Sequence, residues 1–310
     1  MDGNSDRICF LFPGQGAQKV GMLSGFFQEF ECFRSIFEQA GEWTGIDIAK
    51  IVYEPNDLIN QTRYTQLAIL VVELGLLRVL NQAGVEPCVM AGYSLGEYSC
   101  LVKSGILTEE SAVKLIVKRA EHMESACPAG MGGMAAVIGM DWEAIEGVIG
   151  SYDKVWIANY NSKQLVSISG EKTQVMRACE DLKAAGAKRV IPVNVSGPFH
   201  TPLLKEASDK LGVTLKEFAF SEPEIVYYAN VSGEIVSNGD DVRSILARQV
   251  SSPVRWSHSM SGILKSGIGR FVEVGPGKVL RGFLRDEKDI ALYGMESISE
   301  YEALLKDVGK

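Results

Sequence analysis

Ser94 stands between two glycines, in Gly92-Tyr93-Ser94-Leu95-Gly96, directly after a short apolar run and with Glu97 three residues on. A strand that turns sharply into a helix at such a sequence forms a nucleophile elbow, which presents the serine hydroxyl at the top of a sheet. An ordinary strand-to-helix loop satisfies the same pattern, so the serine needs partners. A serine hydroxyl is a weak nucleophile at neutral pH. It requires a base within hydrogen-bond reach and donors aimed at the oxyanion that develops.

Three histidines are available, His122, His200 and His258. His122 falls inside a predicted helix, flanked by Glu121 and Glu124, and reads as a solvated side chain. His258, in Arg255-Trp256-Ser257-His258, sits at a predicted helix start, where a capping or surface role is expected. His200 follows a strand-like run and the Gly197-Pro198 turn, and precedes Thr201-Pro202 at the opening of a helix. Loops at the carboxyl edge of a parallel sheet hold the catalytic groups of doubly wound folds, which makes His200 the candidate base. A structural loop histidine is the alternative. No acid near His200 presents itself as the third member of a triad. A backbone carbonyl as orienting acceptor, and hence a Ser–His dyad, is compatible with that.

For the oxyanion, the residue after the nucleophile offers its N–H at a helix N-terminus, here Leu95. A second N–H must come from another loop. The Gly-rich segment Phe12 to Gln18 allows close backbone approach, with Gln15 the candidate donor, or is a simple turn. Arg119 lies between apolar Ile116 and Val117 and apolar Met123 one turn later. Such an arginine either snorkels to the surface or forms a bidentate clamp for a carboxylate.

The elements that must position these residues follow from hydrophobic patterning. Ile8 to Phe12, closed by Pro13-Gly14, reads as a buried strand, and Cys88 to Gly92 as the strand leading to Ser94. Phe26 to Ala40, Thr65 to Leu80 and Glu109 to Ser125 read as helices, the second apolar over most of its surface and therefore buried. Beyond Cys127-Pro128 the pattern changes. Strands at 135–138, 155–158, 165–169 and 190–195 alternate with helices at 142–149 and 173–185 in the order strand, helix, strand, strand, helix, strand. That is the order of a ferredoxin-like α+β unit, placed at about 131–196. The flanking parts, 1–130 and 197–310, form a larger α/β unit with a short parallel sheet, to which Phe271 to Val274 adds a strand.

Composition narrows the function classes. With 310 residues, 46% apolar and 23% charged, the chain can bury a sizeable core. A net charge of −8 argues against a nucleic-acid partner. The six cysteines are scattered without a C-x-x-C pair, which points to reduced, buried thiols in a cytoplasmic protein rather than a zinc site or disulfide framework. The N-terminus places acids before a short apolar run, unlike a signal peptide. The most apolar helical stretch, Leu67 to Leu80, carries Glu73 and Arg78 and reads as too short to span a bilayer. No membrane partner is expected.

The separated motifs together strongly resemble malonyl-CoA:acyl carrier protein transacylases and the related acyltransferase domains of polyketide synthases. The matching segments are FPGQGAQKVGM (12–22), QTRYTQLAIL (61–70), GYSLGEYS (92–99), KRAEHM (118–123) and GMGGMAAVIG (130–139). They continue with ANYNSKQLVSISG (158–170), GPFHTPLL (197–204), RQVSSPVRW (248–256) and EVGPGKVLRGF (273–283), in family order over nearly the whole chain. The resemblance implies an α/β-hydrolase-like catalytic subdomain carrying the ferredoxin-like insertion. It implies Ser94 as the acylated nucleophile, His200 as its base, and the amides of Gln15 and Leu95 as the oxyanion hole. Arg119 would pair with the free carboxylate of malonate. Gln249 would orient the site, with a main-chain carbonyl near its position steadying the histidine. Met123, Asn159, Asn161 and Phe199 would complete the substrate cleft, Phe199 limiting room for a 2-methyl branch.

Two positions depart from the family pattern: Tyr93 stands where histidine is common, and Leu67 where proline is usual. The implied reaction is a ping-pong malonyl transfer from malonyl-CoA to an acyl carrier protein, by a monomer. It needs no metal or cofactor, since the CoA thioester is itself the substrate. A hydrolase of the editing type, using the same Ser–His site, is the alternative; a carboxylate clamp at Arg119 has no use in clearing simple acyl chains. A non-catalytic docking module for carrier proteins would have no use for the serine, histidine and arginine together.

Overall fold

The computed structural model describes residues 7–127, 130–193, 195, 197–237 and 240–310. Ten strands follow one another along these residues. They are β1 (Ile8–Phe12), β2 (Val89–Gly92), β3 (Gly132–Ile138), β4 (Val155–Ser162), β5 (Leu165–Glu171) and β6 (Arg189–Val193), then β7 (Tyr227–Tyr228), β8 (Ile235–Val236), β9 (Arg270–Glu273) and β10 (Ala291–Gly294). The fold is mixed α/β, with one sheet that is mostly parallel and a smaller antiparallel one.

The larger sheet has the order β10-β9-β1-β2-β7-β8, parallel throughout except for β8 against β7. Every residue of β1 is buried, as a central parallel strand covered on both faces requires. Alternation divides its side chains between two cores: Phe10 and Phe12 join the larger cluster, Cys9 and Leu11 the one on the opposite face. The register pairs Phe12 with Gly92, so β1 and β2 end side by side. The loop carrying Gln15 and the turn carrying Ser94 thus leave the same carboxyl edge, at adjacent strands.

The smaller sheet has the order β4-β5-β3-β6, all antiparallel. One face buries Ala135, Val137, Val166 and Ile168 under helices Trp142–Ile149 and Lys172–Ala184. The opposite face, with Met134, Ser167, Asn159 and Val193, looks into a cavity shared with the larger sheet. The expected strand over 190–195 is present as β6, ending at Val193; its continuation at Asn194 and the nearby Ser196 lie outside the described residues, as does the N-terminal segment 1–6.

Several expectations need correction. The helix predicted from Phe26 to Ala40 is two, Ser24–Glu29 and Glu31–Thr44, separated by Phe30 in extended geometry (φ −107°, ψ 117°). The break lets Phe30 stack on Phe26 at 5.8 Å and meet Tyr301 edge-on at 5.7 Å. Tertiary aromatic packing overrides a helical period that runs through the break. The apolar helix extends over Thr62–Gln82, 21 residues, and so is long and apolar enough to cross a membrane, against the shorter stretch expected. However, 83% of its apolar window is buried inside the protein, which makes it a central core helix here. Gly75 within it faces the Phe33 ring so closely that a Cβ would sit 2.7 Å from Cδ2. Of the thiols, Cys9, Cys100 and Cys179 are buried, while Cys32, Cys88 and Cys127 are only half-buried.

Candidate active site

The turn at Ser94 is a strained one. Ser94 adopts φ +53°, a left-handed conformation that non-glycine residues rarely take. The flanking glycines make it feasible. A Cβ on Gly92 would lie 2.1 Å from the Gly96 carbonyl carbon, and one on Gly96 would lie 2.2 Å from the Phe12 carbonyl oxygen. The chain then enters a short 3-10 turn, Ser94–Gly96, and the helix Glu97–Lys103. The glycines of the G-x-S-x-G pattern are therefore packing requirements of the elbow. Gly96→Ala is expected to destabilise the fold by about 3 kcal/mol, since the backbone it meets cannot give way as a side chain would. Urea unfolding measures this, and a loss below experimental error would contradict the close approach.

Asn230, just past β7, holds the turn from beside. Its Oδ1 accepts the Ser94 N–H at 2.6 Å, and its Nδ2 donates to the Gly92 carbonyl at 2.6 Å. Because β7 pairs with β2, this amide arrives at the elbow through the sheet itself.

His200 is also left-handed, φ +60°, and is 4% exposed. Its Nε2 lies 2.7 Å from Ser94 Oγ. Its Nδ1 faces two backbone carbonyls, Gln249 at 2.9 Å and Ser252 at 3.2 Å. Carbonyls only accept, so Nδ1 carries the proton and Nε2 is left to accept from the serine hydroxyl. Burial, and next the Arg119 guanidinium, hold the imidazole down to about 4, against the two carbonyls that raise it. It is thus neutral, as a base must be, at physiological pH.

This has a measurable sign. With His200 as the base, the neutral form would be the active one, and kcat/KM for acylation is expected to stay level from pH 8 down to about 5. It then falls as pH drops through about 4 and the imidazole is protonated. An acid limb centred near the ordinary histidine value instead would show that His200 is not held in this environment.

Arg119 is 1% exposed, at the buried side of helix Glu109–Ala126. It does not snorkel. Nη1 donates to Gln66 Oε1 at 2.7 Å, while Nη2 donates to Gln249 Oε1 at 2.9 Å and to Ser94 Oγ at 3.2 Å. The guanidinium also lies 5.5 Å from the Tyr98 ring centroid. Its Nε is buried with no hydrogen-bond partner among the described residues. A cation fixed beside a serine hydroxyl, with donor capacity to spare, suits an acyl group whose far end is an anion.

Between the two sheets lies a cavity of about 150 Å³. Ser94, His200 and Arg119 line it, and so do Gln15, Leu95, Met123, Asn159 and Phe199. The two other residues expected at the cleft do not line it. Gln249 is fully buried behind the wall, where its Nε2 donates to the Ser94 carbonyl at 2.9 Å and to Glu97 Oε2 at 2.6 Å. Asn161 has its Oδ1 taken by the Tyr93 hydroxyl at 2.6 Å, and its Nδ2 donates to Ser167 Oγ at 3.2 Å. Tyr93, the departure from the family pattern, thereby ties the elbow to β4 and packs edge-on against Trp256.

Gln66, Glu97 and Asn230 escaped the sequence reading as site residues. Each is a common polar residue, and only the fold brings it to the centre. The one available signal was a carboxylate in the apolar surroundings of the elbow helix; burial pushes Glu97 up to about 7. The remaining histidines are less exposed to solvent than expected. His122 is half-buried and contacts Thr214 Oγ1 at 2.9 Å through Nε2. His258 stacks on Trp142 at 5.5 Å and 12°, joining the larger body to the smaller sheet's helix.

Comparison with known proteins gives the family. The family model described as "Acyl transferase domain" matches residues 9–294. The malonyl CoA-acyl carrier protein transacylase of Escherichia coli (strain K12) is 40% identical over 289 residues, spanning 90% of this chain and 92% of the relative. The crystal structure of MCAT from Streptococcus pneumoniae superposes with a TM-score of 0.92 at 41% identity, covering 97% of this chain and 100% of that one. A malonyl-transacylase solved in complex with its type II PKS acyl-carrier protein superposes with a TM-score of 0.94 at 36% identity, covering 97% and 99%. The chain belongs to the acyl transferase domain family, among the malonyl CoA-acyl carrier protein transacylases.

Proposed function

We propose that the protein transfers the malonyl group of malonyl-CoA to the phosphopantetheine thiol of an acyl carrier protein, through a malonyl ester on Ser94. The observation that carries the reading is the 2.7 Å contact of Ser94 with His200 in the same cavity as the buried Arg119 guanidinium, 3.2 Å from the serine oxygen. His200 takes the Ser94 proton as the hydroxyl attacks the thioester carbonyl. The amides of Gln15 and Leu95, both at the cavity wall, receive the oxyanion. The tetrahedral adduct collapses with loss of the CoA thiol, which His200 protonates. The carrier's thiol then attacks the ester with the roles of His200 reversed. Two thioesters of similar energy are exchanged, so the reaction requires no ATP, metal or cofactor.

Arg119 holds the free carboxylate of malonate, and Phe199 limits the width available at its C2. Met123 and Asn159 shape the remaining wall, while Gln249 and Asn161 act from behind it. The β-α-β-β-α-β order and strand order of the smaller sheet support a ferredoxin-like subdomain at about 131–196. The flanking segments, 1–130 and 197–310, then form an α/β-hydrolase-like catalytic subdomain around the elbow. One chain supplies every residue named, which is compatible with a monomer; the cytoplasm is the proposed location, from the scattered, unpaired cysteines. Neither nucleic acid nor membrane enters the reaction.

An acidic carrier needs a basic landing site. Lys188 lines a groove between the smaller sheet and the helix Val279–Leu284, together with Lys278, Arg285 and Asp286, the last two paired at 3.6 Å, so that the cations outnumber the one acid there. Arg189 begins β6 next to it and is exposed. Lys188→Glu with Arg285→Glu is expected to raise the carrier's KM about 10-fold and to weaken the salt dependence of the second half-reaction. An unchanged carrier KM would place the landing site elsewhere.

Intact-protein mass spectrometry after addition of malonyl-CoA tests the central reading. A malonyl adduct on Ser94 that a holo-carrier protein then discharges supports transfer. Rapid release of free malonate without carrier would favour the hydrolase, a reading the transacylase names of the relatives already disfavour.

A further inference from the structure

Glu97 is the first residue of the helix that follows the elbow and is fully buried. Nothing in the acyl-transfer steps uses it directly. Its Oε2 accepts the Gln249 Nε2–H at 2.6 Å and the Asn230 backbone N–H at 3.3 Å. Its Oε1 is buried with no hydrogen-bond partner among the described residues. Burying a carboxyl group this deeply costs stability unless hydrogen bonds offset its lost hydration, and here only Oε2 has them.

Those bonds converge on one side chain. The Gln249 amide is spanned by three contacts: Nε2 donates to Glu97 and to the Ser94 carbonyl, and Oε1 accepts from Arg119. The backbone carbonyl of the same residue accepts from His200 Nδ1. A primary amide has two ends that differ in hydrogen-bonding sense. Flipped by 180°, it would present a donor to the guanidinium of Arg119, which has only donors. Two acceptors, Glu97 Oε2 and the Ser94 carbonyl, fix the Nε2 end, and the Oε1 end is thereby committed to Arg119.

We propose that Glu97 is a positioning residue of the acyl-transfer site: its carboxyl oxygen fixes the orientation of the Gln249 amide, and through that amide the aim of Arg119 beside Ser94. The inference rests on the malonyl-transfer reading. Because the partners of Oε2 are both donors, an acceptor oxygen at this position is what the geometry employs. Glutamine in place of Glu97 retains such an oxygen, and alanine removes it.

The test compares Glu97→Ala, Glu97→Gln, Gln249→Met and the double variant Glu97→Ala/Gln249→Met, all assayed for malonyl transfer after their folding is checked by thermal denaturation. Glu97→Ala is expected to lose about 10- to 100-fold in kcat/KM, the scale of a small misplacement at a reacting centre. Glu97→Gln is expected to stay within about 3-fold of the parent, and the double variant within about 3-fold of Gln249→Met alone, because residues acting through one another are not additive. The proposal is overturned if Glu97→Ala transfers malonyl like the parent, if Glu97→Gln falls as far as Glu97→Ala, or if the two losses multiply in the double variant. Should Glu97→Ala not fold, Gln249→Met decides: parental activity in that variant removes the relay through which Glu97 is said to act. Failure of the underlying reading looks different, since the parent protein itself would then pass no malonyl group to a holo-carrier protein.

Discussion

Ser94→Ala is expected to form no malonyl-enzyme and to lower malonyl transfer by roughly a million-fold, the scale seen when a nucleophile is removed from a unit of interdependent groups. The expectation rests on what the variant keeps. Asn230 grips the elbow through the Ser94 backbone N–H, not its hydroxyl, and the glycine contacts at Gly92 and Gly96 are untouched. His200 remains oriented by the Gln249 and Ser252 carbonyls. The variant should therefore fold and still bind malonyl-CoA, while lacking the oxygen that becomes acylated. Any residual rate would come from the oxyanion amides and from binding. Mass spectrometry with malonyl-CoA and a discontinuous transfer assay check the two halves separately. Transfer at even a hundredth of the parental rate would mean that Ser94 is not the acylated group.

How far such a site is legible in a sequence depends on how scarce its residue types are. With three histidines in 310 residues, position made His200 the candidate with a structural loop histidine as the alternative, the family resemblance implied it as the base, and the structure brings it to 2.7 Å from Ser94. The two glycines around Ser94 were compatible with an elbow or an ordinary loop in the sequence, and the structure shows that their purpose is steric. Arg119 was ambiguous on its own helix, because an apolar flank suits either a snorkelling or a buried guanidinium. What decides between them is Gln66 and Gln249, 53 residues before it and 130 after. The partnership of Glu97 with Asn230 was illegible for the same reason: they are joined across 133 positions and meet only once β7 has paired with β2.

The fold shows a parallel division. Strands β1 and β2 and the helix Trp142–Ile149 lie within a residue of their expected bounds, since each has a clear pattern and a breaker at its end. The two-helix break at Phe30 has no breaker at all: phenylalanines continue through it, and the contacts that accompany it are Phe30 on Phe26, Arg34 on the Phe27 and Gln28 carbonyls, and Tyr301 from 271 positions away. The length of the helix Thr62–Gln82 was underestimated because its polar ends, with Arg63 and Gln82, fall outside the apolar run that signals it.

Arg119→Ala is expected to separate the two demands on the site, chemistry and choice of acyl group. Malonyl transfer should fall by about 200- to 5,000-fold, corresponding to about 3–5 kcal/mol for leaving one member of a buried charge pair without its partner. Acetyl transfer should be retained or rise. In the parent, an acetyl group enters beside a guanidinium that is already desolvated and has an unpartnered Nε, a penalty that disappears with the side chain. The acetyl rate also serves as a control for chemistry, because Nη2 donates to the very oxygen proposed to attack. If that contact helped only to acidify Ser94, both acyl groups would suffer alike, and the ratio of malonyl to acetyl kcat/KM would not move. Measured as that ratio, the experiment is insensitive to small losses of folded protein, which cancel. A ratio unchanged within experimental error would remove Arg119 as the source of selectivity, even with Ser94 and His200 fully in place.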